Sequence, residues 1–94
     1  MRYELDFINK EITSFLIKRM EISKEVALYK HEHGLPVFDE EREEKIIETV
    51  RAQSGVYADA TEEIFRILFR ESKKIQADVL KELEEKEAQA DNKL

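Results

Sequence analysis

Apolar residues recur along the first third of the chain at Leu5, Ile8, Ile12, Phe15, Ile22, Val26 and Tyr29, with Arg19 filling the one vacancy in the series. The steps alternate between three and four residues, as they do in a helix that buries a narrow seam. The pattern predicts a helix over residues 2–33, roughly 48 Å long at about 1.5 Å per residue. A shorter apolar face, Ile46, Ile47 and Val50, predicts a second helix over 39–52. Asp39 is its expected N-cap, and Glu40 and Glu41 sit at the positive end of its dipole. A third stripe, Phe65, Leu68, Ile75 and Val79, is widened by Ile64 and Ile67 and interrupted by Ser72. It predicts a helix from residue 57 into the low eighties. The breakers Gly34, Pro36 and Gly55 fall between these segments, and no stretch alternates apolar and polar residues as a strand would. The expected fold is all-α, with one long, one short and one long helix per chain. Residues 1–83 form the expected helical domain. Residues 84–94 are charged and lack an apolar face, so they are expected to prolong the helix briefly and then fray as a polar tail.

With 94 residues and no cysteine, a lone core is marginal, because a domain of this size hides only about 60 % of its unfolded surface. Neither a disulfide nor a thiolate metal site is available to compensate. A rod of about 48 Å is also too long for the two other helices to cover. Both arguments predict self-association, with the long helix packed against a second copy of itself. Sixteen basic against 22 acidic residues leave a net charge of −6. That balance argues against a nucleic-acid backbone or an anionic membrane surface as partner. Apolar runs near the ~20 residues of a membrane span are missing, as is a signal-peptide core. The expectation is a soluble, cytoplasmic protein. The sum of charges does not speak against a small anion held by a local cluster of cations.

Such a cluster is suggested by polar residues standing where the pattern wants apolar ones. A guanidinium at the Arg19 seam position costs several kcal/mol unless an anion meets it. Lys30, eleven residues on, faces nearly the same way about 16 Å along the axis. Arg2 also borders the seam, but about 42 Å of helix separates it from Lys30. An antiparallel pair would bring Arg2 of one chain toward the Arg19 to Lys30 stretch of the other, making two equivalent cationic pockets. On the third stripe Ser72 and Gln76 share a face with Leu68 and Val79, and Arg42 and Glu43 open the second helix. Plainer readings exist for each: Arg19 as a residue that sets register, Ser72 and Gln76 as a solvated edge. His31 and His33 resemble a metal pair, but the lack of cysteine and the glycine-containing loop beside them disfavour that reading. The acidic runs 40–44 and 82–87 are read as solvated faces. Cations and hydrogen-bond donors are present, but no cysteine nucleophile, serine–histidine pair or metal cage is, and no cofactor is expected.

Taken together, Arg2, Arg19 in its Leu-Ile-Lys-Arg context, Lys30, Asp39-x-x-Arg42-Glu43 after a Pro-containing loop, and Glu71-Ser72-x-x-x-Gln76 resemble the all-helical class of chorismate mutases over residues 2–80. The chain departs from that pattern at Asn9, where the class usually has Asp. The resemblance implies an intertwined helical dimer with two active sites, each completed by Arg2 of the neighbouring chain. It implies rearrangement of chorismate to prephenate in phenylalanine and tyrosine biosynthesis, by an intramolecular [3,3] step without metal or cofactor. In that resemblance Arg19 and the partner's Arg2 hold the two carboxylates, assisted by Arg42 and Ser72. Lys30 and Gln76 donate to the ether oxygen, and Glu43 with the Asp39 backbone holds the ring hydroxyl. Two other readings remain open on the sequence: an isochorismate pyruvate lyase on the same fold, and a non-enzymatic helical dimerisation or regulatory module.

Overall fold

The computed structural model describes residues 1–92 and places three α-helices in them. These are α1 (Arg2–Glu32), α2 (Glu40–Ser54) and α3 (Ala58–Asn92), in the expected long, short, long order. The described residues include no strand. A single 3₁₀ turn, Gly55–Tyr57, joins α2 to α3.

The breaks between helices follow from the residues at them. Gly34 has φ 65°, a left-handed conformation that glycine enters without a Cβ penalty. It lets the Gly34 N–H donate to the His31 carbonyl at 3.3 Å and the Leu35 N–H to the Lys30 carbonyl at 2.8 Å. That Schellman closure satisfies the last carbonyls of α1, and Pro36 prevents the helix from resuming. The chain therefore reverses and brings Val37 and Asp39 back beside the end of α1. Asp39 then caps α2, accepting from the Arg42 backbone N–H at 3.0 Å. Gly55, with φ 56°, ends α2.

Both α1 and α2 pack on α3. The buried apolar set is small: Ala27, Ile47, Leu68 and Phe69. On α1 the buried residues are Ser23 and Ala27, whereas the seam members Ile22 and Tyr29 stay more than half exposed. The intrachain contact thus runs along a stripe of small residues beside the expected seam. Small side chains let two helix backbones approach, and the bulky seam residues Ile22 and Tyr29 stay largely uncovered by α3. Every residue from Met1 to Lys18 is exposed, including Leu5, Ile8, Ile12 and Phe15.

α3 is longer than its apolar stripe predicts, and residues 84–92 continue the helix rather than fraying. Residues 84–90 are all glutamate, lysine, alanine or glutamine, strong helix formers. Glu87 on it meets His31 Nε2 at 2.7 Å. The last two positions of the expected tail, 93 and 94, lie outside the described residues. Ion pairs tie α2 to α3: Arg66 meets Glu44 at 3.0 Å, and Arg51 meets Asp59 and Glu62 at 2.9 Å. Arg66 also pairs with Glu62 at 2.9 Å along α3. Among the described residues, no helix is long and apolar enough to cross a membrane.

Candidate active site

Where the C-terminal half of α1, the loop after it, the start of α2 and the middle of α3 converge, they enclose a cleft of about 280 Å³. Seven of the eight expected site residues line it: Arg19, Lys30, Asp39, Arg42, Glu43, Ser72 and Gln76. Arg2 does not. It is the first residue of α1 and is exposed, about 25 Å along the helix from Arg19.

Arg19 is anchored from two sides. Its Nη1 donates to Ser72 Oγ at 2.9 Å, and its guanidinium lies 5.5 Å from the centroid of the Phe69 ring. Burial pulls this guanidinium below the usual arginine value, with the nearby Glu43 carboxylate acting against it. Arginine keeps its charge at any physiological pH, so the shift measures how poorly water serves that cation. Ser72 is only 6 % exposed, which removes the solvated-edge reading. Its hydroxyl accepts from Arg19 and donates to Met20 Sδ at 3.7 Å. Gln76, one turn further along α3, donates through Nε2 to the Ser23 carbonyl at 3.1 Å. The second N–H of that amide has no protein partner among the described residues and remains available. Lys30 reaches toward the Val37 carbonyl at 3.5 Å.

The charges of the cleft are unevenly engaged. Four cations line it, Arg19, Lys30, Arg42 and Lys73, with two carboxylates, Asp39 and Glu43. Asp39 is taken up by its capping bond, and Glu43 pairs with Lys73 at 2.7 Å. Among the described residues, Arg19, Lys30 and Arg42 have no carboxylate within ion-pair distance. The cleft can therefore receive an anion with more than one negative group, and it supplies hydrogen-bond donors beside those cations. The two histidines at the end of α1 are spent elsewhere: His31, in its last turn, on Glu87, and His33, its C-cap, on the Tyr29 carbonyl at 2.7 Å and on stacking with the Tyr29 ring.

Sequence reasoning passed over Phe69, Lys73 and the carbonyls of Ser23 and Val37. Lys73 was discoverable in principle, because it lies one helical turn from both Phe69 and Gln76 on α3. The carbonyls carry no side-chain signal at all.

Residues 1–77 match the family model of chorismate mutase type II. The chain is 35 % identical over 75 residues to the T-protein of Haemophilus influenzae, and 33 % identical over 75 residues to that of Enterobacter agglomerans. Each of these alignments covers 77 % of this chain but 20 % of the T-protein, so the chain spans about a fifth of the length of those relatives. It is 30 % identical over 89 residues to the chorismate mutase of Methanocaldococcus jannaschii, covering 92 % of this chain and 90 % of that protein. No solved structure matches it significantly.

Proposed function

The chain belongs to the chorismate mutase type II family, and on that premise we propose that its cleft rearranges chorismate to prephenate. The observation that carries the proposal is the set of three cations, Arg19, Lys30 and Arg42, facing one small cleft whose own carboxylates are already engaged. Chorismate is a dianion with an ether bridge, and its reaction breaks one C–O bond as one C–C bond forms. No atom leaves and no proton must be carried, so the work is positioning and electrostatics. In water the substrate favours an extended conformer. Holding both carboxylates brings the reacting carbons together, an effect worth up to roughly 7 to 11 kcal/mol in favourable cases.

The residue roles follow from this. Arg19, braced by Ser72 and Phe69, grips one carboxylate with the planar donor fork that lysine lacks, and Arg42 assists. Negative charge gathers on the ether oxygen as the C–O bond breaks. Lys30 and the free N–H of Gln76 meet it there, each contributing about 3 kcal/mol in a dry site. Glu43 and the Asp39 backbone hold the ring hydroxyl.

The second carboxylate falls to Arg2 of a second copy in an antiparallel homodimer. Three facts support the dimer. The chain exposes 7873 Å² of surface, where a compact monomer of its mass exposes about 5,700 Å². Its radius of gyration is 17.3 Å, against about 12 Å for a compact chain of this length. The exposed half of α1 also carries the apolar seam that finds no partner within the chain.

Purified protein incubated with chorismate should consume it with prephenate as product. An intact dimer without turnover above background would refute the proposal. An Arg2→Ala chain mixed with an Arg19→Ala chain should recover activity, because each heterodimer regains one complete site. Random exchange sets the yield at about a quarter of the wild-type rate. No recovery after verified subunit exchange would refute the shared site.

A further inference from the structure

We propose that Lys73 is a positioning residue of the cleft: by pairing with Glu43 it keeps that carboxylate off the substrate-binding cations and leaves one of its oxygens free for the substrate's hydroxyl. The inference rests on the mutase reading, in which Glu43 is that acceptor.

Lys73 Nζ lies 2.7 Å from Glu43 Oε1, and the Glu43 side chain is 19 % exposed. A carboxylate so poorly hydrated needs a counter-ion. Those facing it inside the cleft are Arg19, Lys30 and Arg42, the very groups required by the substrate. Arg19 is near enough for the charge of Glu43 to act on it. An unrestrained Glu43 would close on one of these cations and compete with the incoming dianion.

Lys73 draws Glu43 to the other side. Glu43, Phe69 and Lys73 form the wall between the cleft and an adjoining depression of about 250 Å³ that Arg66 and Arg70 also line. Arg66 is engaged there by Glu44 and Glu62, and Arg70 by Glu71. Lys73 is thus the cation left for Glu43 on that side. A purely structural clamp between α2 and α3 is already supplied by Arg66 with Glu44 and by Arg51 with Asp59. The Lys73 pair is the one that faces the cleft. It also takes a single oxygen of Glu43, so the second lone-pair set stays open for a hydroxyl donor.

The test is a cycle of four chains: unmodified, Lys73→Met, Glu43→Gln and the double variant, with Lys73→Arg as rescue. Lys73→Met should raise KM about tenfold and leave kcat within about threefold, the pattern of lost ground-state binding. Lys73→Arg should restore KM to within about threefold, and Lys73→Met should add nothing in the Glu43→Gln background. An equal penalty on both backgrounds would mean that Lys73 touches the substrate directly, and would overturn the inference. So would a lowered urea midpoint in Lys73→Met with unchanged kinetic constants, which is the mark of a clamp. Turnover by the unmodified chain with a wild-type-like Lys73→Met overturns only the role of Lys73. No turnover by the unmodified chain overturns the mutase reading and the inference with it.

Discussion

Replacing Arg19 by methionine should make the protein more stable while removing its activity. In the unliganded chain the guanidinium gains a hydrogen bond to Ser72 at 2.9 Å, worth about 1 kcal/mol net. Its place over Phe69, 5.5 Å from the ring centroid, adds about 0.5–1 kcal/mol. Against these stands the partial desolvation of a charge, about 3 kcal/mol when the group is half-buried. The sign is set by the guanidinium itself: burial pulls it below the ordinary arginine value despite the attraction of Glu43. Methionine keeps an unbranched stem and places a thioether against Phe69. Ser72 retains Met20 as acceptor, so no donor is stranded. The balance is a gain of about 1 kcal/mol for Arg19→Met, which raises Tm by roughly 4–8 °C in a domain of this size. Turnover should fall about a thousandfold in kcat/KM, the loss of a charged clamp. Circular-dichroism melts at fixed protein concentration, because the Tm of a self-associating chain varies with concentration, and a chorismate-consumption assay measure the two effects. A lower Tm in Arg19→Met would refute the claim that the site stores desolvation cost. Activity within tenfold of wild type would refute the role of Arg19.

Other consequences are as direct. Gln76→Leu removes a donor without changing the helix and should lower kcat about a hundredfold with little change in KM, read by steady-state kinetics. Acid should erase the link through Arg66. Hydrogen bonds to Arg66 hold the carboxyls of Glu44 and Glu62 below the usual carboxylate range, so their contribution is present above about pH 4.3 and lost as pH falls through the depressed values. The urea midpoints of wild type and Arg66→Gln should therefore differ at pH 7 and converge in acid. A gap that persists at pH 2 would show that Arg66 acts by packing rather than charge. Ending the chain after Leu83 removes Glu87 and its contact with His31, an exposed pair, and should leave kcat/KM within about twofold.

Several features of the site were legible because they depend on local periodicity. Arg19 in an apolar seam, and Ser72 and Gln76 one turn apart on an apolar stripe, are misfits visible from spacing alone. Asp39 announced itself as a cap, and Gly34 and Pro36 as the turn that brings the second helix back. α3 extends past its apolar stripe because such a stripe marks only what a helix buries. Residues 84–92 are helical through the propensity of their glutamates, lysines and alanines, which such a stripe does not register.

Contacts between helices lay beyond that reach. Residues 43 and 73 are thirty positions apart, and whether their charges meet depends on how α2 is set against α3 by the turn at Gly55. The same holds for Arg19, whose partners Ser72 and Phe69 lie on another helix. The small residues Ser23 and Ala27 decided which stripe of α1 faces α3, and so left most of the heptad seam exposed. Composition and periodicity therefore settle which helices form and which residues are too polar for their places. Packing settles which of those residues share a cleft, because side-chain volume and turn geometry fix the rotation and register of one helix on another, and neither is encoded within a single helix.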